Sequence, residues 1–341
     1  MPSRIAIVGA TGAVGAELLA VLQQRGFADA ELIPLGSARS AGAALEFGGR
    51  RVVVGELTEA SFDGVDVAFF SAGKDVSRRF APIAARAGAI VIDNSSALRM
   101  EPDVPLVVPE INPDDARAHR GIIANPNCSA IILAVALWPL HRVNPIRRIV
   151  VSTYQAASGA GRRAMIELET QARDVLAGRP PQCEALPLPL AFNVFSHDSP
   201  IGPDGYNGEE TKIAAETRKI FHAPGLAIAA TCIRVPVFRA HSESANVTFT
   251  EPMSPGRARE LLEKAPGVRV VDQWSPQHFP MPIDAAGRDE VLVGRIRTDI
   301  SQPDGVGLNL FLSGDQLRKG AALNAVQIAE CLGAVNAPAR V

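Results

Sequence analysis

The sequence predicts an α/β protein of two domains: a parallel sheet covered by helices, then a mixed α+β half. Three observations carry this. The chain has 341 residues, about twice a typical domain. Strand-like and helix-like segments alternate up to about residue 125, as in a parallel sheet with helices on both faces. Beyond that point strand-like runs follow one another with few helices between them, the pattern of a mixed or antiparallel sheet.

Taken in order, Arg4–Val8 is a short β-branched run, and 14–25 is helical, with Val14, Leu18, Leu19 and Leu22 on one stripe. Segments 31–35, 52–54 and 66–70 read as further strands, 76–87 as a helix and 89–93 as a strand. Asn125-Pro126-Asn127-Cys128 then punctuates the chain. An apolar helix over 129–137 follows, with Pro139 helping to end it. Past a strand at 149–153, helices are expected over Arg162–Leu176 and 209–221. Strands are expected at 227–237, 244–249, 268–271, 291–296 and 307–312, and a last amphipathic helix over 316–332. The Pro/Gly-rich stretch 178–189 reads as a long loop or arm, and 195–206 as a surface loop.

Composition narrows the function. Hydrophobic residues make up 47% and charged residues 21%, which suits a soluble protein with a sizeable core. The net charge is −2, so nothing in the bulk charge points to nucleic acid or an anionic membrane. Met1-Pro2-Ser3-Arg4 leads straight into the first strand without an export leader, and the apolar run 130–140 is too short to span a bilayer. Cys128, Cys183, Cys232 and Cys331 form no CxxC pair, which suits a reducing cytoplasm. His119, His141, His197, His222 and His278 show no metal-ligand spacing, so no metal is expected.

Gly9-Ala10-Thr11-Gly12-Ala13-Val14-Gly15 lies between the first strand and the first helix. Glycines there allow a tight turn and a close approach of backbone N–H groups to a pyrophosphate. At the end of the second strand Gly36-Ser37-Ala38-Arg39-Ser40 lacks the acid that would hold the ribose hydroxyls of NAD. It offers instead Arg39, whose planar fork suits a 2′-phosphate, so NADP is the expected cofactor.

Cys128 opens a predicted helix, where amide groups and the macrodipole favour a thiolate. The other cysteines read as structural. His241 could exchange protons near neutrality, although a structural histidine is equally compatible with its surroundings. Arg234 precedes it by seven residues, so in one extended strand the two need not share a face, and a bend near Pro236 could bring both into one pocket. Gln155 is followed by the small-residue loop Ser158-Gly159-Ala160-Gly161. Taken alone, Asn127 reads as a helix cap, Glu209 and Lys212 as a solvated face, and Arg99 as a loop cation.

Together these residues resemble the bacterial type of aspartate-semialdehyde dehydrogenase, in an ordered set of blocks: GATGAVG (9–15), SARSAG (37–42), DNSSALRM (93–100), VPEIN (108–112), NPNCS (125–129), TYQAASGAG (153–161), EETK (209–212), RVPVFRAHSE (234–243) and LRKGAALNAVQIAE (317–330). The separation 155 − 128 = 27 fits as well. The resemblance implies a Rossmann-like domain over 1–126 completed by 315–341, and a catalytic and dimerisation domain over 127–314. It implies Cys128 as nucleophile, His241 as acid/base, Gln155 orienting the intermediate, Arg234 on the substrate carboxylate and Glu209 on its amino group. Arg99, Asn127 and Lys212 would bind phosphate. Gly9, Thr11, Gly12, Ala13, Val14, Ser37, Arg39, Ser40, Ser158, Gly159 and Gln316 would line NADP.

The implied reaction is the NADPH-dependent reductive dephosphorylation of aspartyl 4-phosphate through a cysteine thioester, in lysine, threonine, methionine and diaminopimelate biosynthesis. A cytoplasmic homodimer is implied, with small molecules as its other partners. The nearest rival is an acyl-phosphate reductase acting on N-acetylglutamyl phosphate. A second is a catalytically dead relative acting as a scaffold. The stretch 195–206 is less typical of the family and, as an expected surface loop, leaves the assignment unchanged.

Overall fold

Ile5, Ala6, Ile7 and Val8 are apolar without alternation, the pattern of a strand buried on both faces, and β1 (Arg4–Val8) lies inside the first sheet. The computed structural model describes residues 4–333, and the chain divides into two compact units, 1–127 with 321–341 and 128–320. The last segment therefore rejoins the first unit from Ala321. The expected return at 315 comes too early, since 315–320 lie with the second unit.

In the first unit β1 leads to α1 (Ala13–Gln24) and β2 (Glu31–Gly36). The expected strand at 52–54 is not part of this sheet. β3 (Ala44–Phe47) and β4 (Arg50–Val53) form a separate antiparallel hairpin, because Gly48 and Gly49 both take positive φ (57° and 71°) and close a two-residue turn. The sheet edge is instead the short β5 (Gly55–Glu56). β6 (Val67–Phe70), α2 (Lys74–Arg86), β7 (Ile90–Asp93) and β8 (Ile122–Ala124) complete six parallel strands in the order β5-β2-β1-β6-β7-β8. Sequence reading missed β8, whose three residues are too few to show a period.

The second unit opens with α3 (Cys128–His141). Ten of its residues are buried, and this burial carries the helix two residues past Pro139. After it come β9 (Ile146–Gln155), α4 (Arg162–Leu176), the two-residue β10 (Phe195–Ser196), α5 (Gly208–Ile220), β11 (Ala227–Arg234) and β12 (His241–Phe249). α6 (Pro255–Glu263), unforeseen, starts where the Ser254 hydroxyl caps the Arg257 N–H. β13 (Val268–Val270), the hairpin β14 (Gln273–Trp274) and β15 (Gln277–His278), α7 (Pro282–Ala285), β16 (Val291–Thr298) and β17 (Gly307–Gly314) follow.

Seven strands form one mixed sheet, β10-β11-β9-β12-β17-β16-β13. Alternation sets its faces. Ile149, Val151, Thr153 and Gln155 of β9 are buried, whereas Tyr154 is exposed. α3 packs on β12 and β17, where Gly314 leaves room for Ile132.

The single helix expected over 316–332 is a π-helical stretch, Arg318–Ala322, followed by α8 (Leu323–Cys331). Ala322, Leu323, Ala325, Val326 and Ile328 join the core of the first unit with Leu18 and Leu22 of α1.

Candidate active site

In the first unit the turn 9–15 is shaped by backbone crowding. Gly9 has φ +90°, and a Cβ there would stand 2.9 Å from the Ser71 carbonyl group; a Cβ on Gly15 would stand 2.3 Å from the Gly9 oxygen. No side chain caps the N-terminus of α1 at Gly12, and Thr11 and Gly12 are exposed. A dinucleotide's pyrophosphate fits this bare helix start. Past β2, Ser37 and Arg39 are exposed, Ser40 is half-buried, and no carboxylate among the described residues pairs with Arg39. That donor set fits NADP.

Asp93, at the end of β7, is buried and accepts bonds from the Ser77 hydroxyl and from the amide and hydroxyl of Ser95. Burial raises its pKa, against the pull of these bonds and of Arg99. The loop it anchors brings Arg99 into the interior, where Nε donates to the Asn125 carbonyl (2.9 Å) and Nη2 to that of Asn94 (2.7 Å). Asn127 is buried too. Arg99 is therefore not the exposed loop cation that its local sequence suggested.

In the second unit five of the expected residues converge. Cys128 is the first residue of α3 and half-buried, and its Cβ lies so close to Gly320 that a Cβ there would stand 2.8 Å away. Gln155, the last residue of β9, donates from Nε2 to the Ser129 hydroxyl (2.8 Å) and to Glu209 Oε1 (3.2 Å). Its buried Oε1 has no partner.

Arg234 ends β11 and pairs with Gln155 across the parallel ladder. His241 starts β12 on the other side of β9, where Ser242 pairs with Tyr154, so His241 falls beside Gln155. The chain does turn between them, over 235–240 with a bend at Pro236, so that β11 and β12 flank β9 and their ends share its inner face. Gly159 shows the convergence, for a Cβ there would meet His241 Cε1 (2.9 Å), His241 Nε2 (3.0 Å) and Arg234 Nη1 (3.2 Å). Ser158 and Gln316 are also joined, since Gln316 Nε2 donates to the Ser158 hydroxyl while its Oε1 accepts from the Ala240 N–H (2.9 Å).

His241 is 1% exposed, and its Nδ1 accepts from the Ala156 N–H (3.0 Å). In the neutral ring the proton therefore sits on Nε2, the atom facing Gly159. Burial, then the Arg234 guanidinium, push its pKa down to about 3, so the ring is neutral at physiological pH.

Glu209 is not on a solvated face. It is 5% exposed, in the first turn of α5, whose amides at Glu209 and Glu210 are capped by the Asn207 side chain, and it ion-pairs with half-exposed Lys212 (Nζ–Oε2 3.3 Å). Sequence reading missed Asp198. The expected surface loop begins as β10, pairing Phe195 with Arg234, and Asp198 Oδ1 accepts from Arg234 Nε at 3.1 Å. A two-residue strand leaves no periodic signal, and the partner of Asp198 lies 36 residues on.

Among the described residues no three His, Cys, Asp or Glu side chains cluster as metal ligands, and no helix is long and apolar enough to cross a membrane.

Comparison with known proteins agrees with this architecture. Residues 4–119 match the family described as semialdehyde dehydrogenase, NAD binding domain, and residues 137–319 that described as semialdehyde dehydrogenase, dimerisation domain. The aspartate-semialdehyde dehydrogenase of Synechocystis sp. is 57% identical over 97% of both chains, and that of Aquifex aeolicus 50% identical over 97% of this chain and 98% of its own. Among solved structures, aspartate semialdehyde dehydrogenase II of Vibrio cholerae complexed with ASA superposes with a TM-score of 0.94 at 44% identity, over 97% of this chain and 98% of that one. The Candida albicans enzyme with NADP gives 0.75 at 25% identity, over 99% and 100%. The chain belongs to the aspartate-semialdehyde dehydrogenase family.

Proposed function

We propose that this chain reduces L-aspartyl 4-phosphate to L-aspartate 4-semialdehyde and phosphate with NADPH, reversibly, through a thioester on Cys128. The observation that carries the reading is the meeting of Gln155, Arg234, His241 and Glu209 on one buried sheet face, with Gln155 bonded to the neighbour of Cys128.

The substrate is a small zwitterion. Arg234 receives its carboxylate and Glu209 its ammonium, which points the reacting carbonyl at Cys128. The thiolate, favoured at the start of α3, attacks the acyl carbon, and the C–O bond to phosphate breaks. Arg99, Asn127 and Lys212 are the proposed phosphate ligands, two cations and an amide matched to a dianion. When bound, the nicotinamide supplies the hydride. His241 Nε2–H donates to the carbonyl oxygen as negative charge gathers there, and Gln155 holds the same group in register. Reformation of the carbonyl then expels the Cys128 thiolate and releases the aldehyde.

Gly9, Thr11, Gly12, Ala13, Val14, Ser37, Arg39, Ser40, Ser158, Gly159 and Gln316 are the residues proposed to hold NADP. The working form is proposed to be a cytoplasmic homodimer in the biosynthesis of lysine, threonine, methionine and diaminopimelate.

Incubation with aspartate semialdehyde and NADP⁺ without phosphate should add the aspartyl group to Cys128, read by intact mass and peptide mapping. No adduct, or steady-state preference for N-acetylglutamate semialdehyde, refutes the reading. The buried Glu209 carboxylate argues against the acetylated substrate, which has no ammonium to meet it.

A further inference from the structure

The segment 195–199 touches both proposed substrate-binding poles. On one side β10 is clamped to β11 by the pairing of Phe195 with Arg234, and the His197 N–H donates to the Cys232 carbonyl (2.8 Å). Asp198 then meets Arg234 at Nε, with the guanidinium 5% and the carboxylate 27% exposed. On the other side Ser199 Oγ accepts from the Glu209 N–H (3.0 Å) and donates to Asn207 Oδ1 (3.3 Å), the cap that starts α5. His197 Nδ1 lies 3.1 Å from the Ser199 hydroxyl and accepts from the Ser199 N–H, closing the turn. From Glu209 the chain of bonds returns through Gln155 to Ser129.

We propose that the turn 197–199 is the spacer that fixes Arg234 relative to Glu209, with Asp198 the residue that positions the substrate-binding guanidinium and sets specificity for a short amino-acid semialdehyde. This rests on the assignment of Arg234 and Glu209 to the substrate's carboxylate and ammonium. Asp198 engages the Nε edge, so Nη1, which lies beside Gly159 and His241, faces the site. A guanidinium held on one edge loses less rotameric freedom when its other edge binds a carboxylate. Burial tends to raise the Asp198 pKa, but Arg234 and the local hydrogen bonds outweigh it, and the carboxyl is held below its ordinary value. The contact is therefore charged throughout the neutral range. The turn is too firmly bonded to swing aside, which distinguishes a positioning role from that of a competitor for Arg234.

The test is a double-mutant cycle of Asp198→Asn and Arg234→Lys on the full-length enzyme, assayed with aspartate semialdehyde and with 3-aminopropanal, which lacks the carboxylate. Asp198→Asn should raise KM for aspartate semialdehyde about tenfold, the scale of one charge-assisted bond, with kcat within about twofold. KM for 3-aminopropanal, phosphate and NADP⁺ should not move. The two substitutions should be non-additive, because each disables the same grip. Ser199→Ala, which removes the hydroxyl that joins the turn to the Glu209 amide, Asn207 and His197 but leaves the Asp198–Arg234 pair in place, should lower the preference for aspartate semialdehyde over succinic semialdehyde, and it keeps the question open to test if Asp198→Asn does not fold. An unchanged KM in Asp198→Asn beside a raised KM in Arg234→Lys overturns the positioning role and leaves the Arg234 assignment standing. A lowered KM makes Asp198 a competitor and also overturns it. Equal effects of Arg234→Lys on both aldehydes remove the assignment beneath it.

Discussion

The candidate sites of the two units are built from different materials. The turn 9–15 of the first unit offers backbone: its glycines exist because any Cβ at Gly9 or Gly15 would collide with main chain, and no side chain covers the helix start. The cluster of the second unit is made of side chains, and most of them are buried: Gln155, Glu209, Arg234 and His241 are all at most 5% exposed. Main-chain donors suit a phosphate group common to many ligands. Oriented charges in a buried site suit the discrimination of one small zwitterion from another. Geometry therefore fails differently in the two places: by crowding in the first, by loss of one partner in the second.

Substitutions can break this contrast. The largest effect is expected for Cys128→Ala, which should lower turnover on the order of 10⁴-fold or more while NADP still binds, as followed by steady-state rates and cofactor fluorescence titration. Normal turnover would remove the covalent mechanism. His241→Ala should lower kcat by about 10²–10³-fold and change KM by less than about threefold, since its bond strengthens only as charge develops on oxygen. Gly15→Ala should raise KM for NADP about tenfold or more, the scale of overpacking, yet leave the rate of Cys128 alkylation by iodoacetamide unaltered. A slowed alkylation would show that the two materials are not independent.

The smallest effect concerns Glu243, the third residue of β12. It is fully buried, and neither carboxyl oxygen has a hydrogen-bond partner. Burial raises its pKa well above 4.5, so the folded protein holds it protonated. Its contribution to stability is complete below the unfolded value and is lost as pH rises toward the folded one. Glu243→Gln should therefore raise Tm at pH 8 by roughly 2–4 °C and much less at pH 5, measured by scanning calorimetry. His241 has the opposite sign: its folded pKa of about 3 means that stability is lost as pH falls from 6.5 toward 3. An equal shift for Glu243→Gln at both pH values would contradict the protonated carboxyl.

Much of this was legible locally. The double glycine at 48–49 decided a hairpin that the apolar pattern alone had assigned to the sheet. The capping box at Asn207 and Glu210 was available in the sequence, and it explains why Glu209 starts a helix. It does not explain why Glu209 is buried. The two-residue β10 and the unpaired Gln155 Oε1 have no signature in any window of the sequence.

The order of elements, the glycine turn before α1 and Cys128 at the start of α3 follow from signals within a few residues of each other, because steric limits and helix ends act at that range. The ion pair of Arg234 with Asp198, the proton on His241 Nε2 and the buried protonated state of Glu243 were decided by tertiary structure alone. They depend on partners 36 to 85 residues away and on burial, which strand order creates and no local sequence pattern encodes.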